Sequence, residues 1–304
     1  SGTTAERGSR GRGLFAGGEA PSPVLRVNTI DYVTIGTLGN ATDFGDLQST
    51  RGYSGACSSA TRGLIAGAWN PSTQDIIDYV TISSTGNGFD FGNLTVAREL
   101  ALNNPSSSTR GLFAGGASPG TIYYSAIDYV TIASLGNASN FGNLTQARYG
   151  AGGCGSPVRG VFAGGNTSPA PSITNLIDYV TIATLGDALD FGDLRVITHY
   201  ASAVSSSVRG VWAGGSPGGN VINYVTIATL GDALDFGDLS EAKNSAPGAS
   251  NSIRGVIAGG ATPSYSDAIQ YITISTTGNA ADFGDLTQAR FGTSGLSDSH
   301  GGLG

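Results

Sequence analysis

The chain has 304 residues, a net charge of −7 and a single lysine, Lys243. Nucleic-acid surfaces need clustered Lys and Arg to displace counterions, so no nucleic-acid partner is expected. No apolar run reaches 18 residues, which excludes a membrane-spanning helix and predicts no membrane insertion. No signal-peptide pattern opens the chain, and the absence of Met predicts either initiator removal or missing upstream sequence.

In chain order, residues 1–11 ("SGTTAERGSRG") read as an N-terminal extension. From Arg12 onward one unit is written six times. Each copy opens on a phrase such as "RGLFAGG", at Arg12, Arg62, Arg110, Arg159, Arg209 and Arg254. Each continues in a phrase such as "IDYVTIGTLGNATDFGDL", from Ile30, Ile77, Ile127, Ile177, Ile222 and Ile269. Steps of 45 to 50 residues between the arginines point to a propeller or solenoid filling 12–304 as one domain.

The copy from Arg148 shows the elements. "YGAGGCG" is a short strand of small residues, and "SPV" is a turn. "GVFAGG" is a second strand ended by its glycines. "NTSPAPSITN" is a loop rich in Pro and Ser. "LIDYVTIA" is a β-branched and aromatic third strand. "TLGDA" is a turn and "LDFGDL" a fourth strand. No segment has a capped 3.6 period, so almost no helix is expected. Four antiparallel strands repeated radially make a propeller blade, whose faces are covered only by its neighbours. The sequence thus predicts an all-β, six-bladed β-propeller.

The ends of the chain predict how the ring closes. Five and six positions before the arginines stand small or apolar residues such as Cys57, Ala56, Cys154 and Gly153. The N-terminus would place Arg7 and Glu6 in those slots of the first blade, and buried charges are costly. The C-terminus places Leu296 and Gly295 there. Residues 292–299 are therefore expected as the innermost strand of the first blade, with residues 1–10 outside the ring. Cys57 and Cys154 share one slot two blades apart, too far for a disulfide, and are expected as buried free thiols.

These phrases resemble the kelch repeat. "FAGG" matches its double glycine, "IDY" its aromatic strand, and Ala147-Arg148 and Ala289-Arg290 its following start. Phe44, Phe91, Phe141, Phe191, Phe236 and Phe283 stand where kelch usually has Trp, and Ala68 replaces one glycine. "YVTIATLGDALDFGDL" and the terminal "SDSHGGLG" are similar to repeat proteins of marine cyanophages and related tailed phages. That resemblance implies a structural protein on the virion surface, attached to other virion proteins, with self-association on the particle as a further expectation.

The candidate chemistry is sparse. The six arginines with Asp31, Asp78, Asp128 and Asp178 are expected to be structural, each arginine bonding carbonyls and a nearby Asp between blades. The alternative is an arginine ring gripping an anion. "DALDFGD" (Asp187, Asp190, Asp193; Asp232, Asp235, Asp238) lacks the frame of a calcium loop and reads as turn capping, so no metal or other cofactor is expected. With only His199 and His300 at unrelated positions, no catalytic constellation is expected either. The loops after "AGG" differ in every copy and carry Arg26, Trp69, Tyr123, Tyr124 and Tyr265, candidates for binding a host glycan or protein. The expected function is non-catalytic: virion attachment, or alternatively lectin-like receptor binding.

Overall fold

The computed structural model describes residues 11–100, 103–167, 172–261 and 263–303. They form strands and loops, with one three-residue 3-10 turn at Gly301–Leu303. Each copy of the unit makes one antiparallel sheet. In the copy read above, the order across the sheet is Gly152–Gly155, Arg159–Ala163, Leu176–Thr181, Leu189–Asp193. Five copies have all four strands. The copy from Arg110 has three, because Pro105 occupies the first-strand slot and has no N–H for the ladder. A single bridge, Ser106 to Gly111, remains there.

The first sheet draws on both ends of the chain. Ser294–Ser297 pairs with Arg12–Ala16, setting Leu296 opposite Leu14 and Gly295 opposite Phe15. The C-terminal strand therefore takes the place that its small and apolar residues predict. The expectation for residues 1–10 lies outside the described residues.

Every sheet is bonded to the next, and the sixth to the first. The Phe44 carbonyl accepts from Gly86 N–H at 2.8 Å, and Phe283 from Gly39 at 2.9 Å. The Asn or Asp after that glycine caps the same outer strand. Asp187 accepts from Asn143 N–H at 2.8 Å, Asp232 from Asp193 at 3.0 Å and Asn40 from Asp285 at 3.1 Å. Hydrophobic clusters follow the same pattern. One joins Leu14, Ile30 and Phe44 to Ile65, Val80 and Ile82, and another joins Phe15, Val33 and Ile35 to Val256, Ile269 and Phe283. Each such side chain contributes ~1.5–3 kcal/mol on burial. A lone sheet has nothing to cover its faces, so stability resides between sheets.

The six repeat arginines are part of this stitching. Arg12 donates to the carbonyl of Ile82, Arg159 to that of Ile227 and Arg254 to that of Ile35, at 2.7, 2.7 and 2.9 Å, always one sheet onward. Each guanidinium lies over a tyrosine of its own sheet, Arg159 at 4.4 Å from the Tyr179 ring centre. Their expected pairing with aspartates is corrected by the structure. Asp31, Asp78, Asp128 and Asp178 pair instead with Arg290, Arg51, Arg98 and Arg148, which sit on the connectors entering each sheet. These arginines have 0% side-chain exposure. The reason is position. Arg148 is fully buried, with Nη2 also on the Phe162 carbonyl at 3.4 Å, whereas the half-buried Arg159 reaches across to the Ile227 carbonyl of the next sheet. Arg159→Ala is expected to cost about 2 kcal/mol, from a charge-assisted hydrogen bond of ~1.5–3 kcal/mol and a cation–π contact of ~0.5–1 kcal/mol, less the solvent regained by a half-buried group. Urea unfolding checks this; a variant as stable as the parent would contradict it.

The double glycine has a steric cause. Gly164 has φ +69°, and a Cβ there would stand 2.4 Å from the Thr198 carbonyl of the passing connector. In the second copy the strand runs on through Ala68 to Trp69, with a bulge between Ala66 and Ala68, and turns back at Thr73.

The first strands enclose a cavity of about 30 Å³. Serine hydroxyls run around it, Ser58 to the Ser297 carbonyl at 2.6 Å, Ser250 to Ser205 at 3.0 Å and Ser205 to Gly155 at 2.8 Å. His300 closes one end, its Nε2 at 3.1 Å from Ser106 Oγ and 3.0 Å from the Ser58 carbonyl. Burial lowers its pKa to about 4. Asn103 spans the other end, donating to the carbonyls of Gly248 at 2.6 Å and Gly295 at 3.0 Å. Cys57 and Cys154 line this cavity as buried free thiols.

Candidate functional site

Three positions per copy vary while the frame around them repeats. Two follow the connector position that holds Arg51, Arg98, Arg148, Thr198, Lys243 and Arg290: Gly52-Tyr53, Glu99-Leu100, Tyr149-Gly150, His199-Tyr200, Asn244-Ser245 and Phe291-Gly292. The third follows the glycine pair: Glu19, Trp69, Ala117, Asn166, Ser216 and Ala261. Backbone bridges join them, Gly52 with Trp69, Glu99 with Ala117, Tyr149 with Asn166 and Glu19 with Phe291. The fold thus gathers its most varied residues on one face, at the strand ends away from the His300 plug.

There they form a bowl of about 450 Å³. Its walls include Tyr53, Trp69, Tyr123, Tyr149 and Tyr200, with Glu19, Arg26 and Glu99 among them. The rings are tilted into a continuous curve. Tyr123 lies 4.8 Å from Tyr149, Tyr149 5.8 Å from Tyr200, and Tyr200 5.2 Å from Tyr53. Tyr53 and Tyr200 hold left-handed backbone conformations, φ +54° and +55°. Gly150 and Gly292 occupy the corresponding positions of other copies and leave room for the rings. A Cβ at Gly150 would stand 3.3 Å from the Tyr200 ring, and one at Gly292 3.4 Å from the Tyr53 ring. A tyrosine in this conformation costs ~1 kcal/mol or more, and such strain concentrates at sites of function.

The charges are unevenly matched. Arg26 Nη2 binds Glu19 Oε1 at 3.0 Å. Glu99 has no cationic partner among the described residues. Burial, and then the charge of Glu19, raise its pKa to about 7 against a hydrogen bond from Tyr200. Tyr149 and Tyr200 are raised, first by burial and next by neighbouring tyrosine and glutamate charge, and burial lowers His199. The bowl thus offers neutral aromatic faces, one satisfied ion pair and one carboxyl poised near neutrality.

Of the candidates read from the loops, Arg26, Trp69 and Tyr123 line the bowl. Tyr265 stacks on Phe291 at 4.7 Å, and Phe291 meets the edge of Tyr53 at 5.9 Å. Tyr124 turns away, its hydroxyl donating to Ser118 Oγ at 3.0 Å and its ring 5.9 Å from the Arg98 guanidinium. Tyr53, Tyr149, Tyr200, Glu19 and Glu99 are absent from the sequence-based candidates. Aligning the copies at the two positions after this connector residue would have found all but Glu19. Among the described residues no group of three His, Cys, Asp or Glu is placed to hold a metal. No family model matches the chain, and a search of curated proteins found no relative.

Proposed function

We propose that the chain is a six-bladed β-propeller of kelch-like repeats acting as a non-catalytic recognition module, with a saccharide as the ligand of the aromatic bowl. The propeller reading is supported by the six sheets and by bonds that return from the sixth to the first. The binding reading is carried by the concentration of five aromatic side chains at varying positions in one concavity. Aromatic rings stack on the apolar faces of sugars while a few polar groups fix orientation. The bowl's volume falls within the ~300–1,000 Å³ of small-ligand sites. The resemblance to tailed-phage repeat proteins supplies a setting, a virion component that presents the bowl to a host surface.

A glycan array with wild type and the Trp69→Ala and Tyr123→Ala variants tests the reading. Each variant is expected to lose about tenfold in affinity or more while melting like the parent. Bound glycans indifferent to both substitutions would refute the assignment to the bowl.

A second reading, attachment to other virion proteins, is favoured by the opposite strand ends. Val158, Leu185, Val208, Leu230 and Ile253 recur there in successive copies and are 50–65% exposed. Exposed apolar side chains of this kind fit a protein contact.

A further inference from the structure

The bowl's charge balance narrows its ligand beyond sugar as such, on the premise that the bowl is the binding site. Among the described residues, five aromatic rings and two carboxylates surround the space, and the one cation lining it, Arg26, is engaged by Glu19. That leaves the Glu99 carboxyl uncompensated in a half-buried aromatic enclosure. Ring faces carry partial negative charge and attract cations, and tyrosine and tryptophan walls beside an acid are how ammonium groups are caged. Successive tyrosines are inclined to one another by 48°, 53° and 68° and all four line the space, so the wall is aromatic along its length. A neutral sugar satisfies the stacking but leaves Glu99 in an environment that disfavours its charge. A cation satisfies both.

The geometry points to a ligand that carries an organic ammonium group, seated between the tyrosine faces of the bowl and opposite the Glu99 carboxylate. Two sources share this chemistry, an amino sugar and a quaternary choline-type substituent on a glycan. A neutral or anionic saccharide of similar shape is the disfavoured competitor.

Titration calorimetry at pH 7.0, where the glucosamine amines are still partly protonated, with choline, a glucosamine trimer and an N-acetylglucosamine trimer tests this. At least one cationic probe is expected to bind about tenfold tighter or more than the N-acetyl trimer, and Glu99→Gln is expected to erase the preference. Binding of choline alone names the quaternary source, and of the glucosamine trimer alone the amino sugar. A second readout needs no variant. The groups facing Glu99 are Glu19 with its partner Arg26, Tyr53, Tyr149 and Tyr200, and His199 packs against Tyr149 and Tyr200. The tyrosines are raised by burial and His199 is lowered, so Glu99 is the group that changes charge near neutrality. Choline keeps its charge at every pH. If only the ionised carboxyl binds it, affinity should fall about fourfold from pH 8.5 to 6.5. Failure of both cations to bind, or binding that ignores pH and Glu99→Gln, overturns the inference. A neutral trimer that binds and depends on Trp69 would at the same time leave the saccharide reading intact. Loss of that dependence too would sink both.

Discussion

Asp178→Ala is expected to lower stability by about 3–5 kcal/mol, roughly 10 °C in Tm. Asp178 and Arg148 have 0% side-chain exposure and stand 3.1 Å apart. Asp178 also accepts from Thr145 N–H at 3.0 Å and Oγ1 at 2.6 Å, tying the connector to the sheet it enters. Burial disfavours the Arg148 charge, and the aspartate offsets this. Removing one partner strands the other. The chain contains its own control. At the corresponding positions the fifth copy has Thr198 and Asn223, and the sixth has Lys243 and Gln270. Lys243 donates to the Ala268 carbonyl at 2.8 Å, and Gln270 accepts from Ser240 N–H at 2.8 Å. The double variant Arg148→Thr with Asp178→Asn should recover more than half of the single-site loss, since neither residue brings a charge into the core. Urea unfolding of the parent, both singles and the double decides. Strict additivity would show that the two sites are not coupled.

Deleting residues 292–304 is expected to remove the cooperative transition at physiological temperature and to yield aggregates. The deletion takes away the first strand of the first sheet, the buried Leu296 beside Leu14, and the His300 plug. It leaves Arg12–Ala16 as an unpaired edge beside an opened core, a template for another chain. Deleting residues 1–9 should leave melting unchanged. Scanning calorimetry with size-exclusion chromatography separates the outcomes. A C-terminal deletion that stays monomeric and melts like the parent would rule out closure by this strand.

The frame was legible because it repeats. Four exact copies each of "IDYVTI" and "DFGDL", with two close variants of each, mark strands, and their turns are written in Gly-Asn and Gly-Asp. Leu296 and Gly295 disclosed the closing strand because the alternative, Glu6 and Arg7, would bury charge. The aspartates' partners were not legible. The RG arginine recurs in all six copies and the connector arginine in four, so the more regular series drew the pairing, while burial separates Arg159, over Tyr179, from Arg148, against Asp178. The bowl was half legible. Trp69 and Tyr123 stand in loops that differ visibly, whereas Tyr53, Tyr149 and Tyr200 follow a repeated connector position and read as part of the frame. Spacing also could not show that Tyr53 and Tyr200, far apart in sequence, meet at 5.2 Å in the bowl. The terminal His300 gave no signal of its place, since its partners Ser106 and Ser58 lie about two hundred residues away.

The chain carries two tryptophans, which makes binding in the bowl directly observable. Trp69 lines the bowl, and Trp212 is 1% exposed with its Nε1–H donating to the Gly152 carbonyl at 2.9 Å. Titrating wild type with a glycan retained on the array, or with choline, and following fluorescence and acrylamide quenching reports the two environments separately. A saturable change that protects one tryptophan from quencher and vanishes in Trp69→Phe places the ligand in the bowl. A saturable change that persists unaltered in Trp69→Phe would place the ligand elsewhere and contradict the assignment.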